Sequence, residues 1–279
     1  MTGGTDGIYV LKVMGESPWP RPWTGPACTC GGATNACGRR QRDRNAKQAR
    51  EAWFGKLIED GRMPAENIHE MPADGRSDDE ITTATPEQTD AVLAAAAAEY
   101  QRELIEQLGD KPSLDIAMFG VGPDAHFASL FPDHGEAEIN DPHVLVVGVR
   151  DSPKPPPLRV TLTVPMIAHS KHTWVFTSEE RKADAVRAAF ARRNNPHAPS
   201  SYADGEELLW LIDEDAASKL SKSRKGSSEQ GLMAWYERSP ADHRGLRDFF
   251  HTSRNQASIS LRSSVAHRVW NAPGWSTRW

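Results

Sequence analysis

Between residues 44 and 220 the chain alternates two hydrophobic patterns, and each predicts its own kind of element. Short apolar or β-branched runs stand at "LDIAMFGVG" (114–122), "HVLVVGV" (143–149), "LRVTLTV" (158–164), "HTWVFTS" (172–178) and "LLWLID" (208–213). Runs of about four to eight such residues read as strands buried on both faces. Longer segments of helix formers accompany them, at "RNAKQAREAWFGKLIEDG" (44–61), which closes at Gly61, and at "EERKADAVRAAFARRN" (179–194). The best-delimited helix lies at 85–109: Thr85 caps it, Pro86 takes the first helical position, Gln88 completes a capping box and Gly109 ends it. The stretch between, "MPAENIHEMPADGRSDDEITTA" (63–84), reads as loop. Strands interleaved with helices predict one α/β domain, a mostly parallel sheet covered by helices on both faces. In such sheets chemistry sits just beyond the carboxyl ends of the strands.

Composition changes this picture at the two ends. With 279 residues, 38% of them hydrophobic, the chain has material for a sizeable core. "MTGGTDGIYVLKV" lacks the basic and long apolar regions of an export signal, and nowhere do eighteen apolar residues stand together, so a cytoplasmic location without membrane contact is expected. Net charge is −5, but residues 221–279 carry ten Lys/Arg against four Asp/Glu, a local +6 that leaves −11 for the rest. That segment mixes Ser, Arg and scattered Trp without a period. Disorder is the expectation there, and no nucleic-acid partner, because no recognisable module organises the basic residues. All three cysteines, Cys28, Cys30 and Cys37, fall within "GPACTCGGATNACGRRQ" (25–41). A metal site completed by a ligand such as His69 is one reading, but the spacing is not the paired CxxC of structural zinc, and no metal or redox cofactor is expected.

The stretch most informative for chemistry is "LDIAMFGVGPDAHFASLFP" (114–132). A strand ends at Phe119, Gly120 and Gly122 permit a tight turn, and Asp124 can cap a helix whose first turn carries His126 and Ser129. An imidazole at the mouth of the sheet can take a proton from water near neutral pH. By itself this segment also reads as a strand, a glycine turn and a helix whose His merely caps a loop.

The full string "GVGPDAHFASLFP" resembles the 6-phosphogluconolactonase family, where a GxGxDGHxASLFP motif follows a sheet strand. "SPKPPPLRVTLTVPMI" (152–167) is similar to that family's SPKPPxxRITLT segment, and "TGGTDG" (2–7) to its phosphate loop. The resemblance runs over residues 1–220 and implies a single Rossmann-like α/β domain that hydrolyses 6-phosphoglucono-δ-lactone to 6-phosphogluconate. It implies His126 as the group that activates water, oriented by Asp124 and Ser129. Gly3, Gly4 and Thr5, entering the helix at "GIYVLKV", would cradle the phosphate, which suits backbone N–H groups at a helix start. Lys154 and Arg159 flank the triple proline as cations for a phosphate or a developing negative charge, and Asn45 matches an Asn at the edge of the family's site. A sugar-phosphate lactone is the implied partner; nothing in the sequence sets an oligomeric state. Two other functions remain open: a glucosamine-6-phosphate deaminase, whose motif continues differently after the His, and a sugar-phosphate binder without catalysis.

Two departures qualify the match. The family carries a strand ahead of the phosphate loop, so an internal start is expected. Residues 20–42 stand where the family has a strand ending in W-x-D-E-R. The DNA TGGGGCGACGAACGC encodes W-G-D-E-R, and read one nucleotide later it encodes G-A-T-N-A, which is Gly32 to Ala36. The segment therefore looks like a frameshifted copy, lacking a substrate-binding Arg. Ala125, where the family has Gly, suits a right-handed helical start but not a left-handed turn.

Overall fold

The computed structural model describes residues 4–16, 30–36, 45–220, 227–228 and 231–236. Its frame is a five-stranded sheet in the order β4 (Ile116–Gly120), β7 (His172–Thr177), β8 (Glu207–Asp213), β10 (Gly231–Tyr236), β9 (Ser227–Ser228). The first four run parallel, and β9 pairs antiparallel with β10. Alternate residues of these strands feed two cores, as strands buried on both faces require. Ala117, Phe119, Val175, Trp210 and Ile212 pack on one side with Ala185, Val186, Ala189 and Phe190 of helix α6 (Ala183–Ala191). Met118, Trp174, Phe176 and Leu211 pack on the other with Val10 and Leu11 of helix α1 (Gly4–Glu16) and with Trp53, Phe54 and Leu57. Phe190 meets Trp210 edge-on at 4.8 Å between centroids, and burying each such ring contributes about 1.5–3 kcal/mol. Trp53 and Phe54 come from a π-helical stretch (Arg50–Phe54) and Leu57 from α3 (Gly55–Glu59), which continue α2 (Asn45–Ala49) without a break.

The expected capping box is present on helix α5 (Pro86–Leu108): the Thr85 hydroxyl accepts from the Gln88 N–H, the Gln88 side chain accepts from the Thr85 N–H, and Gly109 ends the helix at φ 84°. The stretch expected to be loop holds a second one. Ser77 and Glu80 cap helix α4 (Asp78–Thr83), a helix of six residues, too short to show a hydrophobic period.

Two expected strands lie outside the parallel sheet. β5 (Val146–Val149) and β6 (Arg159–Leu162) pair antiparallel, because the connection 150–158 is too short for the crossover of a dozen or more residues that parallel neighbours need. β2 (Thr34–Ala36) completes this sheet against β6, and β1 (Cys30–Gly31) pairs with β3 (Ile68–His69). The described part of the anomalous 20–42 segment is thus built into the fold, with Cys30 buried. Cys28 and Cys37 lie outside the described residues, and His69, offered as a metal ligand, has its Nδ1 2.5 Å from Glu103 Oε1. Within the segment expected to be disordered, Gly231–Tyr236 forms the strand beside β8.

Helix α5 crosses close over β5. A Cβ on Gly148 would stand 2.5 Å from Leu93 Cβ, so a residue without a side chain sets how near the helix lies.

Candidate active site

β4 ends at Gly120, level with Phe176 of β7, and the chain turns at once. The Gly122 N–H donates to the His126 carbonyl and the Ala125 N–H to the Gly122 carbonyl, both at 2.9 Å. The helix expected from Asp124 does not form. Ala125 and Ala128 hold φ of 65° and 51°, and left-handed residues this close together cannot belong to a right-handed helix. The looped backbone instead brings the Asp124 and His126 side chains together over Gly122, where a Cβ would collide with both.

His126 Nδ1 lies 2.5 Å from Asp124 Oδ1. The carboxylate accepts, so Nδ1 carries the hydrogen and Nε2 keeps a lone pair. Lys154 Nζ donates to the same Asp124 oxygen at 3.0 Å and stands 3.2 Å from His126 Nδ1. Burial resists charge on Asp124, yet the His126 hydrogen bond and the Lys154 ammonium outweigh it and hold the carboxyl well below the usual carboxylate range. On His126 burial pushes the imidazole down, Asp124 pulls it back up, and Lys154 and Arg159 push it down again; the result lies below the ordinary histidine value. At neutral pH His126 is therefore uncharged, the state a base needs. Its ring lies 4.8 Å from that of Phe131, with planes 35° apart.

Not every expected residue faces this point. Arg159 turns its guanidinium onto the carbonyls of Lys154, Pro155 and Pro156, and lies over Phe131 at 6.0 Å from the centroid. Ser129 is fully buried. Its hydroxyl is 2.5 Å from Thr34 Oγ1, and its N–H donates to Thr161 Oγ1 at 3.1 Å, so it ties the His126 loop to β2 and β6. Asn45 donates to the Thr34 carbonyl at 3.0 Å and so meets that loop through Thr34, beside a cavity of ≈ 30 Å³ lined also by Gly32, His69 and Met71. Gly3 lies outside the described residues, whereas Gly4 and Thr5 open α1.

Sequence reasoning missed what fixes the start of that helix. Asp6 accepts from Lys182 Nζ at 2.6 Å and from Ser178 Oγ at 2.7 Å, with Asp6 and Lys182 both buried. Ser178 follows the last residue of β7, so the start of α1 and the His126 loop stand at the same carboxyl end of the sheet. A lysine among polar neighbours at a helix start reads as solvated, and only the fold reveals its buried partner 176 residues away.

Fold and site define an α/β protein whose parallel strands end at a carboxylate-held imidazole flanked by lysine, an arrangement suited to proton transfer to and from water. The family described as glucosamine-6-phosphate isomerases/6-phosphogluconolactonase matches residues 37–210, and the chain belongs to it. Among its relatives, the 6-phosphogluconolactonase of Mycobacterium tuberculosis is 36% identical over 223 residues, 79% of this chain and 83% of that one. That of Streptomyces coelicolor is 34% identical over 238 residues, 80% and 82% of the two chains. Of solved structures, 6-phosphogluconolactonase from Leishmania guyanensis shares the fold with a TM-score of 0.63 at 20% identity, covering 79% of this chain and 85% of that one. A monomeric glucosamine-6-phosphate deaminase shares it at 0.55 and 18% identity, covering 78% and 86%.

Proposed function

We propose that this chain hydrolyses 6-phosphoglucono-δ-lactone to 6-phosphogluconate with His126 as the general base. The observation that carries the reading is the Asp124–His126 pair, 2.5 Å apart at the end of β4 with Lys154 beside it. Nε2 of His126 removes a proton from water, and the oxygen so activated bonds to the lactone carbonyl carbon. The Lys154 ammonium offsets the negative charge that develops on the carbonyl oxygen. As the bond from that carbon to the ring oxygen breaks, the His126 imidazolium returns its proton to the leaving oxygen, giving the open-chain hydroxy acid. Asp124 keeps Nδ1 as donor throughout and stabilises the imidazolium. Gly4 and Thr5 at the start of α1, together with Gly3 before them in the sequence and Asn45 at the edge, bind the phosphate end, so binding far from the reacting carbon orients it. No step calls on a cofactor.

The lactonase is favoured over the deaminase by "ASLFP" after His126, by the "SPKPPP" loop and by relatives such as those of M. tuberculosis and S. coelicolor, both named 6-phosphogluconolactonase. This reading takes a sugar-phosphate lactone as partner and the cytoplasm as location; among the described residues no helix is long and apolar enough to cross a membrane. The test is acid release from fresh lactone above its spontaneous hydrolysis. The wild-type chain is expected to turn over and His126→Ala to fall to background; equal rates for the two, or ammonia release from glucosamine 6-phosphate in place of lactone turnover, would overturn the assignment.

A further inference from the structure

Arg159 opens β6 just past the triple proline, and its side chain is occupied with the loop it has left. Its Nε donates to the Pro156 carbonyl at 3.0 Å, and its Nη2 to those of Lys154 and Pro155 at 3.1 and 3.3 Å. Pro155, Pro156 and Pro157 have no N–H, so this loop cannot hold its shape by a backbone ladder. Its order comes from Arg159 and from Ser152, whose hydroxyl donates to the Lys154 carbonyl at 3.0 Å and whose N–H donates to that of Pro157 at 2.9 Å. The same guanidinium lies over Phe131, the ring on which His126 stacks. One fork thus spans three consecutive carbonyls on the chain that carries Lys154, whose Nζ must arrive beside Asp124 and His126 on a long flexible stem.

We propose that Arg159 is a positioning residue, which clamps the 154–157 loop and acts on the reaction through Lys154 rather than by touching the substrate. This rests on the lactonase reading for its kinetic test and on geometry alone for a second one. A lysine at 159 keeps the positive charge but lacks the planar fork. The two roles therefore separate in a double-mutant cycle of the full chain with Arg159→Lys and Lys154→Met.

Arg159→Lys is expected to lower kcat/KM by about 10- to 100-fold despite the retained charge, and the double variant to fall within about threefold of Lys154→Met alone. Losses that multiply, or an Arg159→Lys enzyme with wild-type rates, would overturn the proposal. Melting temperatures are read first, and Arg159→Gln takes the place of Arg159→Lys in the cycle if the latter does not fold. The second readout needs no turnover: the imidazole titration of His126, followed by NMR. With Lys154 no longer held beside it, His126 in Arg159→Lys should titrate at higher pH than in wild type, in the direction Lys154→Met also moves it; an unmoved titration refutes the clamp. A chain that shows this shift but never hydrolyses the lactone refutes the proposed function and leaves the clamp standing.

Discussion

Replacing Asp124 with Asn keeps the shape of the side chain and removes its charge, so it isolates what the carboxylate does for His126. Once the imidazole has taken a proton from water, it is a cation whose charge centre lies about 4 Å from the carboxylate's. At an effective dielectric of about 20 that attraction is about 4 kcal/mol, close to a thousandfold in rate at about 1.4 kcal/mol per decade. The Asp124 side chain is 31% exposed, and solvent trims the effect, so a fall in kcat/KM of about 10²- to 10³-fold is expected. The pH profile supplies the sign. In the proposed mechanism the neutral imidazole is the active form, so activity is lost as pH drops through the His126 pKa. Burial, Lys154 and Arg159 hold that pKa below the ordinary value, and Asp124 alone pulls it up. Without the carboxylate the acid limb must move to still lower pH while the plateau collapses. Acid release followed between about pH 4.5 and 8, with spontaneous hydrolysis subtracted, reads both features around the histidine range. An unchanged plateau, or an acid limb displaced to higher pH, would refute the assignment of His126 as a base held by Asp124.

Three further outcomes follow from the packing. Gly122→Ala drives a methyl into the imidazole and the carboxylate; it should cut lactone turnover by about 100-fold or more while circular dichroism reports an intact fold. Lys182→Met strands the buried Asp6 carboxylate without its cation and should lower the unfolding free energy in urea by about 3–5 kcal/mol. Thr85→Ala removes one half of the α5 capping box and should cost about 1 kcal/mol by the same measurement, with kcat/KM unchanged.

How much of this was legible in the sequence depends on how local each determinant is. The α5 cap, its proline and its closing glycine are fixed by residues within one turn, and they lie where the pattern put them. The two-faced strands β4, β7 and β8 were equally readable, because burial on both sides leaves an unbroken apolar run. The direction of β5 and β6 was readable in principle from the short 150–158 connection, but their apolar runs look the same in either sheet. Arg159 was expected as a cation for a phosphate or a developing negative charge, as the family resemblance implies; that its guanidinium serves three carbonyls depends on how the loop curls back. Lys182 and Asp6 carry no local signal of pairing at all.

The His126 loop is the sharpest case, because there the local signal pointed the wrong way. A glycine turn followed by Pro-Asp reads as the start of a helix, and Ala125 fits that reading better than any left-handed alternative. The structure puts Ala125 at φ 65° and buries it, at a cost of about 1–2 kcal/mol relative to a right-handed residue. What holds it there is not nearby in sequence: the Ala125 carbonyl accepts from the Ser200 N–H at 2.9 Å, and the loop is bound to β2 and β6 through Ser129. A helix from Asp124 would lift the carboxylate and the imidazole off Gly122 and break both ties. Strain at Ala125 is thus balanced by distant hydrogen bonds, and the geometry it enforces is the one in which Asp124 can hold Nδ1 and leave the lone pair on Nε2.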